Sequence, residues 1–494
     1  MAQKLNILYV VLFFTILVRI FAMFTIPLTD TTEARYAHVA YLMVTSNNWL
    51  SVFYDVGYPF WGKPPFSFWA EALSYKIFGI NDFAPRLPSL IFTFFTMGLI
   101  YSYLKSFYHK VTALWGMIIY FTFLLTFSLS GVVITDPYFT FATTLSMISF
   151  FMVLKNRQRY WQYLFFISLA LGLLTKGPLA LVLVGGAITL WLLFDFKERF
   201  SELKKFPWIK GIFLTLLLSL PWYVLAELET PGFLNYFIVG EHFKRFIDSG
   251  WNGDLYGLAH KKVHGMVWIL WLQAAFPWGL LALYLIIKNM LSKDKIRNTF
   301  HLLRDNNEVN YFVIWSMFTM IFFTLSGNVL VTYILPALPA LAILLAIYLA
   351  ESEYNIRFKG YNLLYLYALL LPITFIIANI YLINTPNKLR TEKQMVEYYN
   401  AIETEKGELY YLLDRPFSAQ YYSQDNAILV LYKSQKSRQF HKIIDFESFK
   451  NQIADSTVKN YVAIVKEGVI PMKSELNREM KKVFENGRFI MFEI

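Results

Sequence analysis

Between Val309 and Ala350 the chain runs for 42 residues without one charged side chain. A helix needs roughly 20 mostly apolar residues to cross the hydrocarbon core of a bilayer. This stretch is long enough to cross twice, and Ser326-Gly327-Asn328 near its middle supplies the turn of a helical hairpin. Shorter runs of the same kind are Leu5 to about Leu28 (with Arg19 inside it), Leu87–Leu104, Val111–Thr135, Pro137–Leu154, Tyr160–Thr175, Gly177–Phe194, Gly211–Ala226, Gly265–Ile287 and Tyr361–Asn387. Together they predict about eleven spans. The first is too long for a secretory signal and lacks a small-residue cleavage site, so it counts as a span. Composition agrees: 56% of residues are hydrophobic and 16% charged, where a soluble chain carries about a quarter charged. A disulfide scaffold is excluded because Cys is absent.

Charge placement then predicts orientation. One set of connections is short and basic, with Lys105 and Lys110, Lys155 to Arg159, Lys197 to Lys210, Lys288 to Arg304, and Arg357 with Lys359. Cytoplasmic loops carry such an excess. The alternate set, residues 29–86, 227–264 and several tight turns, is mixed in charge and is expected to face outward. From about residue 385 charges become frequent. Short β-rich pieces (Leu409–Leu413, Ala427–Tyr432, Tyr461–Val465) alternate with polar helices at Thr391–Thr404 and Phe446–Ala454. This reads as a small outward α/β domain over 385–494, following a membrane domain over 1–384. The net charge of +11 is thereby explained by loop placement, and no nucleic-acid partner is expected.

Ionisable groups are costly to hold near a membrane, so their clustering carries information. They collect on the predicted outer side. In Thr29-Asp30-Thr31-Thr32-Glu33-Ala34-Arg35-Tyr36, Asp30 or Thr31 is placed to cap a helix beginning near Thr32. Asp30 and Glu33 are three residues apart, so both carboxylates can share one face. Such a pair either splits its pKa values or shares a divalent cation such as Mg or Mn. The alternative is an ordinary acidic first turn. Tyr58-Pro59-Phe60-Trp61-Gly62-Lys63-Pro64-Pro65 fixes a single lysine between turn-forming residues, either for an anionic head group or as a surface lysine reaching toward lipid. Phe66–Phe78 reads as an amphipathic interfacial helix. Asp136 and Lys176 stand at predicted outer ends of spans, and the loop Glu241-His242-Phe243-Lys244-Arg245 adds cations. His260 and His264, Asn328 and Tyr333 lie in the same outer set, the histidines without convincing metal-ligand spacing.

Several motifs, taken in order, resemble the GT-C membrane glycosyltransferases, closest to the protein O-mannosyltransferase-like and lipid A aminoarabinose transferase-like groups. They are Thr-Glu-Ala-Arg-Tyr-Ala, Trp-Gly-Lys-Pro-Pro, Asn-Asp-Phe-Ala-Pro-Arg-Leu-Pro-Ser, Leu-Thr-Lys-Gly-Pro, Pro-Trp-Tyr-Val, Glu-His-Phe-Lys-Arg-Phe and Tyr-Ile-Leu-Pro-Ala-Leu-Pro-Ala, within residues 1–350. The resemblance implies an α-helical polytopic membrane protein of GT-C architecture with 11–13 transmembrane helices. It also implies a polyprenyl-phosphate sugar donor and inversion at the anomeric carbon. By matching position, Lys63 and Arg245 are the implied phosphate ligands, supported by Arg35, Lys176 and His242. Asp136 is the implied second acid and Tyr333 an outward tyrosine near the lipid. Tyr58, Asn328 and His264 complete the expected substrate-binding set. The family's Asp-Glu-x-Arg-Tyr has Thr32 in place of its Asp, which leaves Asp30 and Glu33 as alternatives for the carboxylate. The Glu often found before Lys-Pro-Pro is Gly62.

The expected chemistry is displacement of polyprenyl phosphate at the outer (periplasmic) face of a bacterial inner membrane. Lys63 and Arg245 would neutralise the leaving phosphate, and the acceptor would be lipid A, another envelope glycolipid, or a protein hydroxyl. A transporter of lipid-linked sugars would instead predict inverted repeats and polar groups at mid-membrane, and the charges sit elsewhere.

Overall fold

The computed structural model describes residues 2–494 apart from 249, 258–259, 292–296, 298–303, 352–356, 359–360, 404–405, 433–440 and 477–478. Much of the predicted basic loop 288–304, and Lys359, therefore lie outside the described residues. The chain forms two compact units. The first comprises Met1–Phe21, Trp61–Ser67 and Leu87–Ile376; the second comprises Ala22–Phe60, Phe68–Arg86 and Ile377–Ile494. The composition change near residue 385 thus marks only one boundary of the second unit, which also takes in most of the predicted first outer loop.

Every predicted span contains a helix among the described residues. Six helices are long and apolar enough to cross a membrane: Leu5–Thr25, Leu87–Phe107, Asp136–Leu154, Trp208–Glu229, Val331–Ala350 and Leu363–Asn384. Lys110–Phe121 and Leu179–Leu193 are shorter apolar helices. Tyr160–Lys176 and Asn307–Thr324 fill the remaining predicted positions. The chain is a multi-pass membrane protein. Its outward faces are apolar where lipid is the solvent: Ile209, Phe213, Leu217 and Leu228 of the helix Trp208–Glu229 are all exposed. Within Phe66–Phe78, found with its predicted limits, Leu73, Ile77 and Phe78 are exposed in the same way.

Two predicted spans are broken. Val111–Thr135 divides into Lys110–Phe121 and Leu124–Leu129. Gly265–Ile287 divides into Met266–Ala274 and Trp278–Met290, bent by 118°. The breaks satisfy one another. Leu124 N donates to Phe276 O at 2.7 Å, and Trp278 Nε1 donates to Thr122 Oγ1 at 2.8 Å. Backbone freed from a helix inside a membrane persists where neighbouring protein groups pair with it. The same rule accounts for Arg19 within the first helix. Its side chain is buried, donating from Nε to Ser130 O and from a terminal nitrogen to Gly131 O at 3.0 Å.

The second unit is built on a six-stranded sheet in the order Ile443–Asp445, Ile428–Leu431, Lys406–Leu412, Lys459–Val465, Phe489–Glu493, Lys481–Glu485. The first four strands are parallel and the last two antiparallel. Strand alternation sends Leu409 and Tyr411 into one apolar layer and Tyr410 and Leu412 into the other. Helices cover both faces, so successive residues are buried in the central strands, Leu409 to Leu412 and Asn460 to Ile464. The polar helix predicted over 391–404 spans only Lys393–Asn400, and Phe446–Asp455 is capped by Asp445. Three strands escape the sequence reading (Ile443–Asp445, Lys481–Glu485 and Phe489–Glu493) because two are edge strands with charged residues and a short run. The first-loop helix Thr32–Thr45 packs on the helix Phe417–Tyr422.

Candidate active site

Within the first unit, three helix ends meet. Asp136 opens Asp136–Leu154, with Pro137 in its first turn, where a carboxylate suits the helix dipole. Lys176 closes Tyr160–Lys176, where a cation suits it equally. The two side chains form a buried ion pair at 2.7 Å. Gly177 then turns the chain into Leu179–Leu193 with φ +65°. A Cβ at Gly177 would stand 2.6 Å from the Phe237 ring and 3.2 Å from His242 Cε1. Glycine here permits both the left-handed turn and the close approach of the segment Asn235–Lys244.

That segment carries the rest of the polar groups. His242 Nδ1 is 2.7 Å from Phe237 O and Nε2 is 3.0 Å from Lys176 O. Burial holds its pKa below the ordinary value against these two carbonyls, and the Lys63 ammonium acts in the same direction as burial. Arg245 donates to both oxygens of Glu241, at 2.9 and 3.2 Å, and lies 3.3 Å from Asp254. Burial opposes its charge, but Tyr333 and the two carboxylates outweigh that and raise its pKa. Lys63 is held differently. Its Nζ donates to Gly62 O at 2.6 Å and stands 3.9 Å from Glu241. Burial lowers its pKa more than Glu241 and Asp254 raise it, with Arg245 adding to the lowering.

Lys63, Lys176, Glu241, His242, Arg245, Asn328 and Tyr333 line one cavity of about 430 Å³. Its remaining walls are apolar, including Leu179, Val182, Phe322 and Phe323. Asn328 braces the wall by accepting from His260 N at 3.3 Å. The arrangement offers an apolar cavity ending in cations, of which Lys63 is the most loosely paired, 3.9 Å from Glu241. His264 is exposed and is not among the lining residues.

Four expected site residues belong to the second unit, and their surroundings differ from the sequence reading. Asp30 does not cap the helix at Thr32; the cap residue Thr31 has no side-chain cap bond either. The Asp30 carboxylate instead accepts from Ser418 N at 2.8 Å and Ser418 Oγ at 2.7 Å, and pairs with Arg488 at 2.5 Å. Glu33 receives the Arg86 fork at 2.7 and 2.9 Å. The two acids are engaged by different arginines, Arg488 and Arg86. Arg35 lies over the rings of Tyr36 and Phe417, and Tyr58 is exposed. Asp30, Glu33 and Asp136 face Arg488, Arg86 and Lys176 respectively. Sequence reasoning missed Asp254, Arg86 and Arg488 as partners. The four-residue separation of Glu241 and Arg245 was a usable signal; the others are distant in sequence.

Residues 62–224 match the family described as dolichyl-phosphate-mannose-protein mannosyltransferase. Among curated proteins, the undecaprenyl phosphate-alpha-4-amino-4-deoxy-L-arabinose arabinosyl transferase of Erwinia tasmaniensis is 29% identical over 321 residues, covering 64% of this chain and 54% of that protein. The protein of the same name from Yersinia pestis is 28% identical over 337 residues, covering 66% and 56%. The chain thus spans about half the length of these curated relatives. Among solved structures, ArnT from Cupriavidus metallidurans bound to undecaprenyl phosphate superimposes with a TM-score of 0.76 at 14% identity, covering 99% of this chain and 98% of that one. Its apo form gives 0.75 at 16% identity, covering 100% and 98%. The chain is a multi-pass membrane protein that shares the fold of ArnT from Cupriavidus metallidurans.

Proposed function

We propose that the chain is an inverting glycosyltransferase that takes a sugar from an undecaprenyl-phosphate donor. The observation that carries this reading is the cavity of the first unit, apolar along its walls and lined by Lys63, Lys176 and Arg245. A polyprenyl phosphate has that same division between tail and head. Lys63 is the first phosphate ligand, because its half-buried ammonium is paired only at 3.9 Å, with Glu241, and an incoming anion gains most at the most weakly paired cation. Arg245 follows, exchanging part of its Glu241 contact for the phosphate. Lys176, held by Asp136, and His242 shape the same end.

In the transfer, the acceptor oxygen forms a bond to the anomeric carbon as the bond to the phosphate oxygen breaks. The electron pair leaves with the phosphate, and Lys63 and Arg245 stabilise it there. Phosphate is a good leaving group, so no strong general acid is required. Where the acceptor is itself a phosphate no base is needed, which suits a chain whose Asp30 and Glu33 are engaged by arginines. The acceptor in this reading is an envelope glycolipid such as lipid A. The basic short loops support a cavity facing the periplasm of a bacterial inner membrane.

The match of residues 62–224 to protein mannosyltransferases favours a second acceptor, a protein hydroxyl. Mass spectrometry of lipid A and of envelope glycoproteins, with and without the chain, separates the two by which one loses a sugar-sized addition. The donor site is tested by transfer of label from an undecaprenyl-phosphate sugar. Lys63→Ala and Arg245→Ala should each abolish most transfer; full activity in both would overturn the reading.

A further inference from the structure

The second unit contains another group of buried ionisable side chains that the proposed transfer does not use. His38 lies on the helix Thr32–Thr45, Asp55 ends the strand Phe53–Asp55, and Asp425 follows the helix Phe417–Tyr422. One ligand atom from each lies within 4.8 Å of the other two. His38 and Asp55 have no solvent exposure and Asp425 is buried. His38 Nε2 is 3.2 Å from Asp425 Oδ1. The other ring nitrogen of His38, Nδ1, has no hydrogen-bond partner. A buried imidazole left in this state is costly.

A second orphan stands beside it. Gln420 is fully buried and donates from Nε2 to Asp55 Oδ1 at 2.9 Å and to Asp425 Oδ1 at 3.0 Å. Its Oε1 has no partner. Amide oxygen and nitrogen exchange by a half-turn of the side chain. That turn would bring Oε1 to the place where the two carboxylates converge, which is unfavourable unless a cation is there. The nearby Arg415 directs its guanidinium to Ala427 O at 2.6 Å and His441 O at 3.0 Å.

We propose that His38, Asp55 and Asp425, with Gln420 Oε1 as a fourth donor, bind one divalent transition-metal ion of the zinc type. The imidazole disfavours magnesium and calcium, which prefer all-oxygen ligand sets, and suits zinc. Four protein donors and no open position make the site structural. The ion ties the first-loop helix and strand to the C-terminal fold through residues nearly 400 positions apart in the chain. This site is independent of the donor cavity, and its failure would leave the transfer reading intact.

The test uses the full chain in detergent, without a histidine tag, stripped with chelator and reloaded with zinc. After gel filtration the chain should retain one zinc per molecule and melt about 5 °C higher than the stripped form. His38→Gln and Asp425→Asn should each lose that zinc and the shift, while His109→Gln, at an exposed position, keeps both. No zinc on the unsubstituted chain, or equal zinc on His38→Gln, overturns the proposal. Should the variants fail to fold, zinc X-ray absorption on the unsubstituted chain decides: one imidazole with oxygen neighbours supports the site, and two or more imidazoles sink it.

Discussion

The ion pairs of the two units are made from the same residue types, yet they leave different things over. In the donor cavity, Asp136 holds Lys176 and Glu241 with Asp254 hold Arg245, and Lys63 is left with a carbonyl and a carboxylate 3.9 Å away. In the second unit Arg86 and Arg488 are engaged by carboxylates at hydrogen-bonding distance. Arg86 takes Glu33 in a fork and also donates to Met23 O and Pro27 O. Arg488 is divided between Asp30 and Glu392. A buried pair with every lone pair satisfied holds structure together; a half-satisfied cation beside open volume is poised for a ligand. Motif position alone ranks these residues equally, while their partners separate them.

The largest expected effect breaks the structural side of this contrast. Arg86→Met takes the cation from the buried Glu33 carboxylate and frees the carbonyls after the first helix. Removing one partner of a buried pair costs about 3–5 kcal/mol. The variant should melt far lower or fail to accumulate, read by thermal unfolding in detergent. An unchanged melting curve would mean that the pair is not structural.

Lys63→Met should do the reverse. Burial disfavours the Lys63 charge, and its nearest carboxylate, Glu241, keeps Arg245 as a partner, so its removal should leave the melting temperature unchanged or raise it. Transfer from the lipid donor should fall roughly 100- to 1000-fold, the usual effect of losing one charge-stabilising donor. A variant that loses stability and keeps activity would exchange the roles assigned to the two units.

The sequence made the membrane architecture legible because a bilayer imposes a length and a polarity on each span. It also singled out Lys63, Lys176, His242, Arg245, Asn328 and Tyr333, which line one cavity. It did not reveal the breaks at Thr122 and Phe276, since each lies in an apolar run that reads as continuous; what permits them is pairing between segments about 150 residues apart. The partners of Asp30 were equally hidden. Ser418 and Arg488 come from a domain whose chain begins hundreds of residues later, and neither spacing nor periodicity encodes such a contact. Local rules placed Asp136 and Lys176 at helix ends, but only the fold shows that these two ends meet.

The smallest effect sharpens the same contrast by pH. Glu392 has no solvent exposure. Its carboxylate accepts from Asn486 Nδ2 at 2.7 Å and from Arg488 at 2.8 Å. Burial pushes its pKa up from 4.5 to about 7, against the pull of Arg488 and Asn486. Between those two values the folded chain binds a proton that the unfolded chain has released. Stability therefore falls as pH rises from 4.5 to about 7, by at most about 1.4 kcal/mol per pH unit. Asp414, also raised by burial, adds a slope of the same sign. Glu392→Gln removes the first slope and keeps the second. The variant should thus gain on the unsubstituted chain in melting temperature between pH 5 and pH 7.5, with lipid-donor transfer retained. Parallel melting profiles would mean that Glu392 stays ionised throughout. Arg488 would then be shared between two carboxylates at every pH, and protonation of Glu392 would not hand it over to Asp30.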